Sequence, residues 1–175
     1  MRPAPDIEQT MERHADAVWR VCLLYFPCEA DCQDAFQETF LRYALADGTT
    51  FADDEHRKAW LIRVARTRCL DMLKAANRTH TVAGEAALEE AESRQSHATL
   101  APGDLAPKAF DQPGSFASEV VDALQALDDP PRTPLYLALC EEYTAPEIAQ
   151  LLDAPVNTVY SWIARGKKYL REVLS

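Results

Sequence analysis

Two stretches of the sequence concentrate side chains suited to polyanions. From Arg57 to Arg78 seven bases (Arg57, Lys58, Arg63, Arg66, Arg68, Lys74 and Arg78) face a single acid, Asp71. Near the C-terminus Arg165, Lys167, Lys168 and Arg171 form a second group. Cations repeated along a helix neutralise phosphates and release their counterions. Between Glu29 and Glu55, by contrast, eight acids accompany one base, Arg42. A run of charge is first of all a solvated helix face, so these segments need a second signal before they carry function. Cys28 and Cys32, with His14 or His56, have the donor types of a redox or zinc sensor, yet no second strict pair completes the spacing. No H-E-x-x-H, Walker loop or G-x-S-x-G occurs. The series Asp53, Asp54, Glu55 suits a helix N-terminus better than acid–base chemistry. The residues therefore point to binding, with no enzyme activity, cofactor or metal implied.

The elements that must position these groups are helical. The chain has 175 residues, 47% hydrophobic and 26% charged, with few glycines and apolar residues at three- and four-residue spacing. Its fold class is all-α, with two small helical domains joined by an acidic linker. Ile7, Met11, Ala15, Val18, Cys22 and Tyr25 form the first stripe, which Pro27 ends. A second helix over about Ala30–Ala46 turns Ala35, Phe36, Phe40 and Tyr43 or Ala44 inward, and Asp47–Asp54 follows as a loop. A third, about Glu55–Asn77, sets Leu61, Ala65, Cys69 and Met72 against the cationic face. Trp60, between apolar neighbours, is read as core rather than as a stacking platform.

Residues 1–78 are thus one domain and 79–116 a linker rich in Ala, Glu, Ser, Gly and Pro, with a short helix in GEAALEEAESRQ; 117–175 is a second helical domain. The net charge is −10, but 1–80 contribute −2, 81–128 −7 and 129–175 −1, so the acidity lies mostly between the basic surfaces. No apolar run reaches the roughly 20 residues of a membrane span, and the N-terminal MRPAPDIEQTMERH lacks a secretory h-region. Five irregularly spaced cysteines do not form a disulfide framework. The expectation is a cytoplasmic protein that does not insert in membranes.

The second domain carries the clearest mechanics. Helices are predicted at Ala117–Leu127 and Pro134–Glu142, broken by DDPPR. Thr144-Ala145-Pro146-Glu147 is a capping box that starts a helix at Ala145. That helix runs through Leu152, Asp153-Ala154-Pro155 turns the chain, and Pro155 opens a last helix to about Val173. Ile148, Ala149, Leu152, Val159 and Ile163 have the spacing of two steeply crossed helices, with small Ala149 at the crossing, which is a helix-turn-helix pattern. The second helix would offer Asn157, Thr158, Tyr160, Ser161 and Trp162 to base edges, and Arg165, Lys167 and Lys168 to phosphates. Trp162 fits partial packing and contact with a thymine methyl equally well. Gly166 weakens the last helix by about 1 kcal/mol at most.

The segment DCQDAFQETFL at 31–41, followed by RKAWLIRVARTRCLDMLK at 57–74, resembles region 2 of bacterial sigma factors of the extracytoplasmic-function (ECF) type. EIAQLLDAPVNTVYSWIARGKKYL at 147–170 is similar to their region 4, with Asp153 in place of the usual turn glycine. The resemblance implies a factor that binds core RNA polymerase, recognises promoter DNA, melts it and starts transcription. It places polymerase binding on Asp34, Gln37 and Glu38, with Phe40 packing beneath. It places minus-ten recognition on the Asp47–Asp54 loop, with Thr49, Thr50 and Phe51 around a flipped-out base, and on Arg57, Lys58, Arg63, Arg66 and Lys74. It places the minus-thirty-five element on the second helix of the helix-turn-helix, and the acidic run Glu85 to Glu92 in the path of nascent RNA. An anti-sigma factor is an implied partner. Borrowing DNA affinity from polymerase also accounts for the negative net charge.

Two rivals stand beside this reading. A stand-alone LuxR-like regulator would bind a palindrome tightly without polymerase. A metal-dependent hydrolase on a helical bundle would need ligands such as Glu38 and the histidines, and the chain has no Glu-x-x-His pair.

Overall fold

The computed structural model describes residues 1–82, 116–127 and 131–175, which form seven α-helices and, among the described residues, no strand. The first, α1, spans Ala4–Tyr25 with a proline in its first turn. It stops where Pro27 forces the preceding residue out of helical space, and Phe26 is accordingly extended (φ −126°, ψ 122°). Helix α2 spans Glu29–Leu45 and α3 spans Asp54–Val82. Asp53 caps α3, its carboxylate accepting the His56 amide at 2.7 Å. Helix α3 outruns the predicted end at Asn77, so residues 79–82 of the expected linker are helical. The GEAALEEAESRQ segment, including Glu85 to Glu92, lies outside the described residues.

Helices α4 (Phe116–Gln125), α5 (Arg132–Leu139), α6 (Ala145–Leu152) and α7 (Val156–Leu174) make the C-terminal group. Helix α5 begins and ends earlier than its predicted span, keeping Pro134 in the first turn. At α6 the predicted capping box closes: the Thr144 amide donates to Glu147 Oε2 at 2.8 Å and its hydroxyl lies 2.7 Å from the same oxygen. These donors hold the Glu147 carboxyl below its usual range. Asp153 takes up a left-handed conformation (φ 53°) after α6, which explains why glycine would be at ease there.

Each group has its own apolar interior, and the two interiors are continuous. Val18, Cys22, Phe36, Phe40, Tyr43, Leu61, Ile62, Ala65 and Cys69 are buried among α1–α3, and Leu124, Leu135, Tyr136, Ile148, Leu151 and Val159 among α4–α7. Trp60 packs half-buried against this core, its ring edge-on to Tyr43 and Phe51. Ile148, Ala149 and Val159 are buried as their spacing predicts, while Leu151 is buried and Leu152 half-buried.

Polar groups close the junction between the groups. The last carbonyls of α1 have no partner within the helix. Leu23 O accepts from Gln125 Nε2 at 2.6 Å and Leu24 O from Arg132 Nη1 at 2.7 Å, while Tyr25 and Thr133 pair their hydroxyls. Gly166 has a specific use here: a Cβ at this position would lie 2.6 Å from Leu135 Cδ2. Glycine thus lets α5 and α7 approach closely, and the close approach outweighs its weak helix propensity.

Candidate nucleic-acid interfaces and the α2 face

On α2, Asp34 and Gln37 are exposed, Glu38 is half-buried and paired with Arg42 one turn on at 3.0 Å, and Phe40 is buried beneath, its ring 4.9 Å from that of Phe36. The same exposed side carries Leu41 and Leu45, 53% and 60% accessible. Sequence reasoning passed over these two leucines, although the spacing 34, 37, 41, 45 marks one helix stripe. A stripe that mixes acids with exposed leucines suits a protein partner and repels phosphates.

Beyond α2 the loop 46–53 is built from within. Phe51 turns inward, stacking on Tyr43 at 6.0 Å and meeting Trp60 and His56 edge-on, so it anchors the loop. Thr49 is half-buried, Thr50 exposed, and Gly48 has nothing within 4 Å of where a Cβ would sit.

Helix α3 presents the predicted cations, and Arg57, Lys58 and Arg63 among them have partners in the chain. Arg57 lies 3.9 Å from Asp6, 3.7 Å from Asp54 and 3.4 Å from Thr10 Oγ1. Burial opposes ionisation of Asp54, but His14, Arg13 and Arg57 outweigh it and hold the carboxyl below its usual range. Arg63 donates to the carbonyls of Gln150 (2.9 Å) and Leu151 (3.1 Å), two of the orphan carbonyls at the end of α6. Lys58 Nζ lies 2.8 Å from Glu141 Oε2 and over the Tyr143 ring. Arg66 is half-buried and Lys74 exposed.

Glu141, which sequence reasoning did not single out, is the centre of this junction. Its side chain is 3% exposed and takes Lys58, Arg20 Nη2 (3.0 Å) and the Tyr136 hydroxyl (2.5 Å). Burial opposes its charge, and the three donors overcome that cost, leaving the carboxyl below its ordinary range. Lys58 comes from α3 and Arg20 from α1, whereas Glu141 follows α5, so no local pattern could announce them.

Helix α7 contrasts with α3. Asn157, Tyr160, Ser161, Arg165, Lys167 and Lys168 are exposed, Tyr160 at 57%, while Thr158 and Trp162 are half-buried. Trp162 packs against the core. Arg165, Lys167 and Lys168 make no ion pair with any described residue. Polar, aromatic and cationic groups therefore share the accessible face of a helix held by a helix-turn-helix, the geometry that enters a major groove.

The thiols divide differently from the sensor reading. Cys28 is exposed, whereas Cys32 is buried, donates to Phe26 O at 3.4 Å and is pushed up to about 12 by burial. Cys22 and Cys69 share a hydrogen bond in the core. His14 Nε2 meets Asp54 at 3.2 Å, and His56 Nδ1 accepts the Ala52 amide. Among the described residues no three His, Cys, Asp or Glu groups are placed to hold a metal. No helix among them is long and apolar enough to cross a membrane.

Comparison with known proteins follows the same division of the chain. The family model for sigma-70 region 2 matches residues 10–79 and that for sigma-70 region 4 matches residues 117–170. The ECF RNA polymerase sigma factor SigW of Bacillus subtilis is 26% identical over 161 residues, covering 92% of this chain and 84% of SigW. The ECF RNA polymerase sigma factor SigE of Mycolicibacterium smegmatis is 26% identical over 98% of this chain, which spans 62% of that protein's length. Among solved structures, the sigma factor RpoE in complex with the anti-sigma factor NepR from Bartonella quintana shares the fold at a TM-score of 0.69 and 19% identity, covering 97% of this chain and 96% of RpoE. CnrH in complex with the cytosolic domain of CnrY does so at 0.63 and 20%, covering 98% and 89%.

Proposed function

Because the chain belongs to the sigma-70 family, with region 2 at residues 10–79 and region 4 at residues 117–170, we propose that it acts as an ECF-type initiation factor. In this reading it binds core RNA polymerase, recognises a promoter through both regions and helps to melt it, in the cytoplasm and without catalytic chemistry of its own. The observation that carries the reading is the division of surfaces. Helices α3 and α7 bear cations and α7 bears exposed base-reading groups, while α2 keeps a separate acidic and leucine-bearing stripe that DNA would reject. A stand-alone regulator would have to use that third surface for its own dimer.

Polymerase binding is assigned to Asp34, Gln37, Glu38, Leu41 and Leu45 on the α2 face, with Phe40 as support. Minus-ten binding is assigned to the 46–53 loop and to Arg57, Lys58, Arg63, Arg66 and Lys74. Minus-thirty-five binding is assigned to Asn157, Thr158, Tyr160, Ser161, Trp162, Arg165, Lys167 and Lys168. The contacts of Lys58 and Arg63 with Glu141, Gln150 and Leu151 require region 4 to move away from α3 before these two cations can meet phosphate. An anti-sigma factor is proposed as a further partner, supported by the likeness of fold to RpoE, solved in complex with the anti-sigma factor NepR.

The test is a pull-down of purified core RNA polymerase, followed by run-off transcription on a genomic promoter pool with and without the protein. Polymerase capture and new start sites are the expected result. Capture should fall at least tenfold for Asp34→Ala combined with Leu41→Ala, both exposed, where removal of interface anchors costs more than about 1 kcal/mol each. DNA binding by the chain alone, with polymerase ignored, would support the stand-alone regulator instead.

A further inference from the structure

We propose that Arg2 is a positioning residue for promoter opening: it holds the 46–53 loop in the shape that receives an extruded base. The proposal rests on the reading of that loop as the base-holding element. Arg2 lies far from the loop in sequence, but in space it ties together the three parts that define the loop. Its amide donates to Ala44 O at 2.7 Å, one of the carbonyls left open at the end of α2. Its guanidinium donates to Thr49 O in the middle of the loop and lies 4.6 Å from the Tyr43 ring centroid and 5.1 Å from that of Phe51. Asp6 holds the same guanidinium at 3.3 Å and is itself held by the Tyr43 hydroxyl at 2.9 Å.

The side chain of Arg2 is 12% exposed and neutralised by Asp6, so it acts through the loop and does not itself reach phosphate. The loop's own backbone supplies little: the Thr49 amide reaches Ala46 O, and the Ala52 amide reaches His56 Nδ1. The inner side is thereby fixed by Phe51 and Arg2, while the outer side, with Thr50 exposed and Gly48 in open space, is left accessible. Extruding a base costs its stacking and pairing. A loop that must also order itself loses conformational entropy for every residue fixed, which subtracts from capture. Tethering the loop beforehand removes that loss and fixes the geometry on which base preference depends.

The test uses whole protein with any tag at the C-terminus, reconstituted with core polymerase on a promoter found by run-off. Four versions of that promoter differ only at the extruded base. Opening is read by permanganate reactivity or 2-aminopurine fluorescence, alongside the melting temperature of the free protein and the salt dependence of promoter binding. Arg2→Ala is expected to slow opening about tenfold on the preferred base, as ordering cost returns to the loop. It should bring the four bases to within about twofold of one another, with polymerase capture and the salt slope unchanged. Arg2→Lys, which keeps charge but loses the planar stack, should fall between.

Wild-type rate and base preference in Arg2→Ala would overturn the proposal. So would a uniform loss on all four bases that tracks a lowered melting temperature, the pattern of a purely structural residue. A salt slope reduced by about one would make Arg2 a phosphate contact instead and equally overturn it. If the wild-type protein opens no promoter at all, the sigma reading fails, and this inference with it; retained opening with an indifferent Arg2 overturns the inference alone.

Discussion

Helices α3 and α7 carry seven and four cations and differ in whether those cations are available. On α7, Arg165, Lys167 and Lys168 face solvent without an ion pair to any described residue. On α3, Arg57 is tied to Asp6 and Asp54, Lys58 to Glu141, and Arg63 to two carbonyls of α6. Two of these three ties join region 2 to region 4. A cation count alone would rank α3 above α7 as a DNA-binding surface. The partners separate them: α7 can meet a polyanion as it stands, whereas α3 must first exchange contacts of comparable strength. Affinity for bulk DNA is thereby held down at the surface whose proposed task is melting, in keeping with a chain of net charge −10.

The largest expected effect comes from breaking the junction at its centre. Glu141→Gln removes the charge that holds Lys58 and Arg20. Loss of one partner of a buried pair costs 3–5 kcal/mol, but both cations are about a fifth exposed. A loss of about 2 kcal/mol in urea unfolding at pH 7 is therefore expected. The pH dependence has a definite sign. The Glu141 carboxyl is depressed in the folded state, so its contribution is complete above the ordinary carboxylate range and is lost as pH falls through the depressed value. Wild type and Glu141→Gln should converge once the pH lies below the depressed value of the Glu141 carboxyl. A difference that persists undiminished in acid would show that packing, and not charge, holds the junction.

A smaller effect is expected from Gly166, which contrasts with Gly48. An added methyl at 166 overlaps Leu135, whereas one at 48 meets nothing within 4 Å. Overpacking of about 1–3 kcal/mol is offset by about 1 kcal/mol of helix propensity, so Gly166→Ala should lose about 1 kcal/mol in thermal or urea unfolding, and Gly48→Ala almost nothing. A stabilised Gly166→Ala would mean that α7 can slide along α5. The C-terminal group would then be looser than the contact with Leu135 implies.

Much of this architecture was legible in the sequence because its signals are local. The capping box at Thr144 and Glu147, the stop at Pro27 and the stripe of Ala35, Phe36, Phe40 and Tyr43 each depend on residues within one or two turns, and each stands where its pattern places it. What escaped depends on contacts between distant parts of the chain. Gly166 reads as a weak point until Leu135 is seen against it. Glu141 reads as one acid among many until Arg20 and Lys58 converge on it from 121 and 83 residues away. Phe51 reads as a base contact, but Tyr43, Trp60 and two guanidiniums draw it inward. Arg2 sits in a segment with no periodic signal. The helices were therefore readable, while the partners that decide which cations are available were not.

The smallest effect discriminates most directly between the two helices. Each phosphate contact contributes about 0.9 to the salt slope of binding, which is about threefold in affinity over a fourfold change in salt. For the free chain on random duplex DNA, Lys167→Gln should lower the slope by about that amount. Lys58→Met should leave it unchanged, because Glu141 already holds that ammonium. In the polymerase-bound form on its promoter, where α3 is proposed to touch DNA, both substitutions should lower the slope. Glu141→Gln provides the crossing condition: with its carboxylate gone, Lys58→Met should begin to lower the slope in the free chain as well. Equal slopes for Lys58→Met and Lys167→Gln in the free wild-type chain would mean that the junction opens without polymerase, and the contrast between α3 and α7 would then be one of proximity rather than availability.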